Sequence, residues 1–249
     1  MRIAAIQFKA DKRDQAASLR RLLALCEQAA EQGATLIVCP EMAHTGYLFT
    51  DPADVRRVAE PLHGPSFEQL ATVAKRYGCT LVSGYPELVE QARTVRLYNS
   101  ARIIGPDGSL LSNYRKRLLF DADETWALPG DTPYPQLRLP WGDLTAGICM
   151  DLNDDRFIRH LGESQCSVIA FCTNWLEEGL ELHRYWRYRL LGVRSLFVAA
   201  NTYGEETCPG HERTCFAGQS AIFDGSGRPL AVAPREGDAI VSADVDLPR

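Results

Sequence analysis

The sequence contains no apolar run of about 18 residues, the length that a membrane-spanning helix needs. It also lacks an excess of basic residues: 27 lysines and arginines stand against 32 aspartates and glutamates, which gives a net charge of −5. Proteins that bind nucleic acid or an anionic membrane surface usually carry a concentrated basic patch. We therefore expect a protein that binds neither nucleic acid nor membrane and whose partner is a small molecule.

The sequence also lacks a disulfide framework and a metal motif. Its eight cysteines do not have the regular spacing of small secreted domains, and several lie in apolar runs such as residues 36–39, Leu-Ile-Val-Cys. The apolar stretch at residues 1–8 is too short for a secretory signal. Cys208, His211 and Cys215 match no standard zinc spacing. We expect reduced thiols, a cytoplasmic location, and neither a metal nor another cofactor.

Strand and helix patterns alternate in the first third of the chain. Strands are predicted at residues 3–8, 34–39 and 79–83, and apolar residues at helical spacing predict a helix that ends at Gly33. A second helix is predicted to begin at a capping box formed by Ser66 and Gln69 and to end at Gly78. This alternation is typical of an α/β protein.

The rest of the chain predicts a mixed sheet. Turn residues at 105–108 and 224–227 indicate antiparallel hairpins. Strands at residues 144–149, 168–172 and 197–200 alternate with helical segments at 157–161 and 182–193. Because no linker or low-complexity run interrupts this order, we expect a single domain spanning residues 1–249, with helices covering the outer faces of mixed sheets.

Three chemically active residues each lie where a predicted strand ends, and strand ends are where α/β sites gather. They are Glu41, Lys116 and Cys149. A carboxylate can take the thiol proton, the thiolate can attack a carbonyl, and an ammonium can stabilise the oxyanion. Ion pairing with such an ammonium would lower the pKa of the thiol.

Each of these residues also has a structural interpretation. A cysteine that closes a buried strand often packs in the core, a lysine in a short basic run often faces solvent, and Glu41 fits a surface loop. A Cys-His hydrolase is a further alternative, although the five histidines lie in no recognisable motif.

Three segments, in order, resemble the motifs of the nitrilase superfamily of carbon–nitrogen hydrolases. They are residues 39–42 (Cys-Pro-Glu-Met, followed by Thr-Gly-Tyr at 45–47), residues 113–116 (Asn-Tyr-Arg-Lys) and residues 147–151 (Gly-Ile-Cys-Met-Asp). The resemblance covers nearly the whole chain. It implies a four-layer αββα sandwich of two mixed β-sheets, a homodimer, and a Glu-Lys-Cys triad that works without metal or cofactor.

The same resemblance implies roles for individual residues. Glu41 is the expected general base, Cys149 the nucleophile and Lys116 the oxyanion stabiliser, with the Met150 backbone N–H as a second donor. Glu124 matches the second glutamate of the family, although Asp121 and Asp123 stand close by. Three further residues are expected to line the substrate pocket: Tyr47, Asn174 and Trp175. Arg189 is either a carboxylate-binding residue or part of a solvated helix face.

The residues after the nucleophile favour an amidase over a nitrilase. True nitrilases usually have Trp-Glu there, whereas this sequence has Met150 and Asp151. Residues 148–153 and 123–128 resemble the protein N-terminal amidases, while Thr-Asn-Trp at 173–175 resembles some ω-amidases. We therefore expect hydrolysis of a terminal amide, small or at a peptide N-terminus, to ammonia and a carboxylate. A nitrile or N-carbamoyl hydrolase and a non-catalytic binding module remain as alternatives.

Overall fold

The computed structural model describes residues 1–92, 94–179, 181–209 and 212–247. Over these residues the chain forms two six-stranded sheets, a separate two-stranded sheet and six α-helices. None of the described helices has the length and apolar character needed to cross a membrane. The elements in chain order are β1 (Arg2–Gln7), α1 (Gln15–Glu31), β2 (Ala34–Val38), α2 (Pro52–Arg56), α3 (Pro65–Tyr77), β3 (Thr80–Gln91), β4 (Thr94–Ile104), β5 (Leu110–Arg115), α4 (Asp121–Glu124), β6 (Leu137–Leu139), β7 (Gly142–Ile148), a 3-10 turn (Cys149–Asn153), α5 (Asp155–Ser164), β8 (Val168–Thr173), α6 (Leu182–Arg189), β9 (Leu196–Asn201), β10 (Tyr203–Glu206), β11 (Thr214–Ala217), β12 (Ala221–Phe223), β13 (Pro229–Val232) and β14 (Ala239–Asp244).

The first sheet has the strand order β14-β1-β2-β3-β4-β5. Its β1, β2 and β3 strands run parallel, and the other pairs are antiparallel. Helices α1 and α3 pack on one face through a buried cluster that includes Leu22, Phe67 and Leu70. These two helices form the first outer layer.

Helix α3 begins differently from the sequence-based prediction. Its N-cap is Gly64, Pro65 occupies the first helical position, and no side chain caps it. The predicted Ser66–Gln69 capping box is wrong, because the Ser66 hydroxyl donates instead to Glu60 and accepts from the buried Arg102. The helix ends at Gly78 in the left-handed conformation (φ 65°), as the sequence predicts.

The second sheet has the strand order β13-β12-β9-β8-β7-β6, with β7, β8 and β9 parallel. Helices α5 and α6 cover its outer face. The ring of Trp186 from α6 lies 6.2 Å from that of Phe171 and 5.8 Å from that of Phe197, both edge-on. Helix α6 ends at Arg189 and is shorter than the segment predicted from the sequence.

The inner faces of the two sheets pack against each other. Buried side chains of the first sheet, such as Ile3, Val38 and Val82, share one cluster with Ile148 and Cys172 of the second. The layers therefore run helix, sheet, sheet, helix. This arrangement confirms the predicted four-layer αββα sandwich of mixed sheets.

The β10–β11 hairpin is an element that the sequence did not predict. It stands apart from both large sheets and packs against the loop that follows β2. Its Glu206 carboxylate accepts hydrogen bonds from the backbone N–H groups of Tyr47 (3.0 Å) and Leu48 (3.4 Å), and its Phe216 ring meets Tyr47 edge-on at 6.0 Å. The hairpin thus holds the loop that carries Tyr47.

Candidate active site

Cys149 occupies a sharp turn directly after β7. It is the first residue of the 3-10 turn and has a φ of 44°, a left-handed value that residues other than glycine seldom adopt. Two neighbours fix the turn. The Asp151 carboxylate accepts from the Ile148 N–H at 2.9 Å, and Gly147 packs so closely that a Cβ there would lie 2.4 Å from the Phe157 ring.

A buried ion cluster lies beside this turn. The Lys116 ammonium donates to Glu41 Oε1 at 2.7 Å and to Asp123 Oδ2 at 2.5 Å. All three side chains are fully enclosed. An ammonium has three N–H donors, so these two bonds leave one of them for another acceptor.

Two asparagines orient the Glu41 carboxylate. The Asn99 side chain donates to Glu41 Oε1 at 2.7 Å and to Asp123 at 3.1 Å. From the second sheet, the Asn174 backbone N–H donates to Glu41 Oε2 at 2.9 Å, and the Asn174 side chain donates to the Glu41 carbonyl at 2.9 Å. Glu41 is thereby held between residues of both sheets.

The electrostatics separate a charged pair from a neutral thiol. Burial raises the pKa of Glu41, the nearby Asp123 carboxylate adds to this, and Lys116 opposes both. Burial alone would lower the pKa of Lys116, but the Asp123 and Glu41 carboxylates outweigh it and raise that pKa. Lys116 therefore stays charged, and the raised pKa of Glu41 makes its carboxylate a good proton acceptor.

The thiol itself is kept protonated at rest. Burial and the Glu41 carboxylate raise the pKa of Cys149 well above its usual value, more than Lys116 and the polar groups of Thr173 and Asn174 lower it. The sequence-based expectation of a lowered thiol pKa is wrong, because it counted the ammonium and not the enclosure of the site.

A cavity of about 240 Å³ opens onto the thiol. Its lining includes all four residues that the sequence analysis assigned to the substrate, namely Tyr47, Met150, Asn174 and Trp175. The remaining lining residues are Phe120, Asn153, Leu176, Glu178, Leu182 and Tyr185. The cavity thus presents the Cys149 side chain to a bound molecule.

The structure does not bring Glu124 to this site. Its side chain is exposed on the outer side of α4, and the acid that faces Lys116 is the preceding residue, Asp123. Successive helical residues point about 100° apart, so only one of two adjacent acids faces inward. Asp123 is fixed in that position because it also accepts from the Phe120 N–H at 3.1 Å.

Adjacent acids with opposite environments allow a matched comparison. Asp123→Asn places an amide against Lys116 and Asn99, so we expect kcat/KM to fall by about 10- to 100-fold and stability by about 1–3 kcal/mol. Glu124→Gln alters only an exposed side chain and should stay within about twofold of the parent. Steady-state kinetics and urea unfolding of both variants measure this; equal losses in the two would contradict the placement.

Asp151 is a structural residue that the sequence analysis did not assign. Its enclosed carboxylate accepts from the Tyr114 hydroxyl (2.8 Å) and from the Arg117 and Leu118 N–H groups (both 3.1 Å), besides the Ile148 N–H. Burial raises the pKa of Asp151 to about 6, against these hydrogen bonds. One carboxylate therefore ties the turn of Cys149 to the segment that follows Lys116.

Arg189 lies behind the site and does not line the cavity. Its guanidinium donates to the Leu152 carbonyl at 2.9 Å and to Asp155 at 3.1 Å. It braces the end of the 3-10 turn, which is neither of the two roles considered from the sequence.

The described part of the chain brings neither a histidine nor a metal-binding cluster to the cavity. Among the described residues no histidine lines it, and no group of three or more His, Cys, Asp or Glu side chains is arranged to hold a metal. His183 contacts the Gln219 carbonyl at 2.8 Å and His160 contacts Thr145 at 3.1 Å. His211 lies outside the described residues.

Fold and site together define a class: two-sheet α/β hydrolases that act on carbon–nitrogen bonds other than peptide bonds. The sequence profile of the Carbon-nitrogen hydrolase family matches residues 2–249. The chain belongs to this family, in agreement with the resemblance to the nitrilase superfamily.

The relatives include several amidases. A protein N-terminal amidase of Schizosaccharomyces pombe is 34% identical over 143 residues, which are 54% of this chain and 48% of that protein, about half of its length. A Pseudomonas protegens protein described as a hydrolase in the pqqF 5′ region is 30% identical over 99% of this chain and 83% of its own. Omega-amidase NIT2 of Xenopus tropicalis is 28% identical over 92% of this chain and 83% of its own.

A solved amidase shares the fold. The amidase from Nesterenkonia sp. AN1 superposes with a TM-score of 0.81 at 22% identity, over 98% of this chain and 93% of that one. That structure shows acrylamide joined to the active-site cysteine of the Nesterenkonia enzyme by Michael addition.

Proposed function

We propose that this chain is an amidohydrolase that converts a terminal amide to a carboxylate and ammonia through a thioester on Cys149. The observation that carries the proposal is the enclosed Glu41–Lys116 ion pair beside a cysteine turn that opens onto a cavity. The amidases among its relatives support the same reaction class. A Glu-Lys-Cys triad performs the chemistry.

The first half-reaction forms the thioester. Glu41 takes the thiol proton as the sulfur attacks the amide carbon, so that no stable thiolate precedes attack. The remaining N–H of Lys116 and the backbone N–H of Met150, near the start of the 3-10 turn, stabilise the oxyanion. Glu41 then gives its proton to the leaving nitrogen, the carbon–nitrogen bond breaks and ammonia departs.

The second half-reaction hydrolyses the thioester. Glu41 removes a proton from the attacking water, the carbon–sulfur bond breaks, and the proton returns to the Cys149 sulfur. The Asp123 side chain accepts a hydrogen bond from the Lys116 ammonium, which it holds in place throughout both half-reactions.

An ammonia-release assay tests this proposal. The panel is butanamide, succinamate, an N-carbamoyl amino acid, butanenitrile, and a peptide with N-terminal Asn. We expect turnover of at least one amide with a free NH2 group and no turnover of the nitrile. Turnover of the nitrile alone would establish the nitrilase alternative, and turnover of the N-carbamoyl compound alone the carbamoyl hydrolase. No turnover together with tight binding of an amide would establish a binding module.

We further propose that residues 1–249 form one domain and that two chains associate through the C-terminal end of α6 and the residues that follow it. Tyr188 in the last turn of α6 is 63% exposed and Leu191, just beyond the helix, is 72% exposed, so two large hydrophobic side chains near each other in sequence are open to solvent. Light scattering should give the mass of a dimer, and Leu191→Asp should shift it towards the monomer. A monomeric parent protein would refute the association.

A cytoplasmic location is also part of the proposal. The enclosed thiols of Cys26 and Cys39 lie 3.5 Å apart as free cysteines, which suits a reducing compartment. Cell fractionation tests this.

A further inference from the structure

The charged groups at the cavity point to one class of amide. Among the described residues of the lining, Glu178 is the single one with a charged side chain; no lysine or arginine belongs to it. Glu181, which directly precedes Leu182 of the lining, adds an exposed carboxylate to the same loop. The entrance therefore carries negative charge.

No residue in the described part of the chain neutralises the charge of Glu178. Its exposed side chain forms no ion pair or side-chain hydrogen bond with the described residues, whereas its neighbour Glu177 receives a hydrogen bond from Arg235 at 2.6 Å. An unpaired carboxylate at the rim of a cavity attracts a cationic group and repels an anionic one.

The walls of the cavity suit a cation as well. Four aromatic rings line it, and those of Trp175 and Tyr185 lie 5.6 Å apart. The Tyr185 hydroxyl donates its hydrogen to Asn153 Oδ1 at 2.6 Å, which leaves its oxygen free to accept. Aromatic faces, a phenolic acceptor and a carboxylate are the groups that recognise an ammonium.

A carboxylate on the substrate would find no cationic partner among the described residues that line the cavity. The sequence analysis considered Arg189 as a possible carboxylate-binding residue. Its guanidinium instead donates to the Leu152 carbonyl and to Asp155, outside the cavity. Lys116 is enclosed between Glu41 and Asp123. An anionic amide would thus lose solvation without gaining a counter-charge.

From these observations we infer that the site selects amides that carry an ammonium group at the other end of the molecule and rejects those that carry a carboxylate. The inference rests on the proposed amidase function and specifies its substrate. Glu178 and Tyr185 contact the ammonium, and Cys149 contacts the amide carbon. Short ω-amino amides and peptides with an N-terminal amide residue belong to this class, whereas ω-amides of dicarboxylic acids do not.

The test uses three series of primary amides with two to four methylenes, ending in ammonium, methyl or carboxylate, assayed by ammonia release at pH 7 and low salt. We expect kcat/KM for the ammonium series to exceed that for the carboxylate series by at least about 10-fold, and 0.5 M NaCl to reduce the ratio. Glu178→Gln should reduce the ratio by about 5-fold and Glu178→Lys should reverse the preference. The matched control, Glu177→Gln, should leave it unchanged.

The outcomes separate the two claims. Turnover of the methyl series with equal rates for ammonium and carboxylate amides, or an unchanged ratio in Glu178→Gln, would overturn the inference and leave the amidase intact. Failure of all three series, with the enzyme folded, would overturn the amidase and the inference together.

Discussion

Cys149→Ala should reduce kcat/KM for amide hydrolysis by at least about 10⁴-fold, because water would have to attack the amide directly at neutral pH. The variant should also lose the covalent acyl adduct that intact-mass spectrometry detects in the parent enzyme after rapid acid quenching. Ammonia release and the mass of the quenched protein measure the two effects.

Cys166→Ala is the matched control, since Cys166 is an equally buried cysteine remote from the cavity. It should keep its turnover within about twofold and lose only about 1 kcal/mol of stability. If Cys149→Ala kept more than a tenth of the activity, Cys149 would not be the nucleophile.

The raised pKa of Cys149 predicts how its alkylation depends on pH. Because only the thiolate reacts, its rate of modification by iodoacetamide should keep rising beyond about pH 9, where an ordinary thiol levels off. Replacing the half-buried Cys208 and Cys215 by serine removes the competing sites. A plateau below pH 8 would show an ion-paired thiolate at rest.

Lys116→Met is expected to have the second large effect, on stability and activity together. It leaves Glu41 and Asp123 enclosed without the cation that both contact, which costs about 3–5 kcal/mol when a buried pair is broken. Loss of the oxyanion donor should lower kcat by about 10³-fold. Urea unfolding and steady-state kinetics provide both numbers.

The pH dependence of the Lys116→Met variant has a definite sign. Without the ammonium, the pKa of Glu41 would lie further above its value in the unfolded chain, because burial and the neighbouring Asp123 side chain both raise it and Lys116 no longer opposes them. The variant should therefore lose least stability near pH 4 and progressively more as the pH rises.

The double variant Lys116→Met/Asp123→Asn separates structure from chemistry. Replacing one of the two carboxylates that Lys116 no longer contacts should recover part of the lost stability and none of the activity. A double variant with substantial turnover would exclude Lys116 from the oxyanion role, and one as unstable as the single variant would place the destabilisation elsewhere.

The parts of the site that were predicted from sequence are those tied to strand ends. Cys149 follows β7 and Glu41 follows β2, so periodicity located both, and neighbouring motif residues gave the order. The alternation of strands and helices predicted an α/β protein with helices on the outer faces of mixed sheets, whereas the four-layer sandwich was implied by the resemblance to the nitrilase superfamily. These features depend on short sequence patterns and motifs, which can be identified without knowing the three-dimensional structure.

The parts that were missed depend on which way a helical side chain points and on how deeply a residue is buried in the folded protein. A short helix such as α4 does not reveal whether Asp123 or Glu124 points inward, since one residue of rotation exchanges them. Asn99 lies within β4, where a polar residue normally indicates a solvent-facing position; its burial arises because Glu41 and Asp123 reach it from other segments. The direction of the thiol pKa shift likewise requires knowledge of what surrounds it.

The partition of the site between the two sheets has a consequence for the newly made protein. Glu41 and Lys116 come from the first sheet and Cys149 and Asn174 from the second, and Asn174 supplies both of the bonds that join Glu41 to its opposite sheet. In the newly made chain Glu41 and Lys116 are therefore synthesised before Cys149 and Asn174. The first sheet also needs β14, from the C-terminal end of the chain, for its edge strand. The nucleophile consequently meets its base only when the two sheets pack together, late in folding.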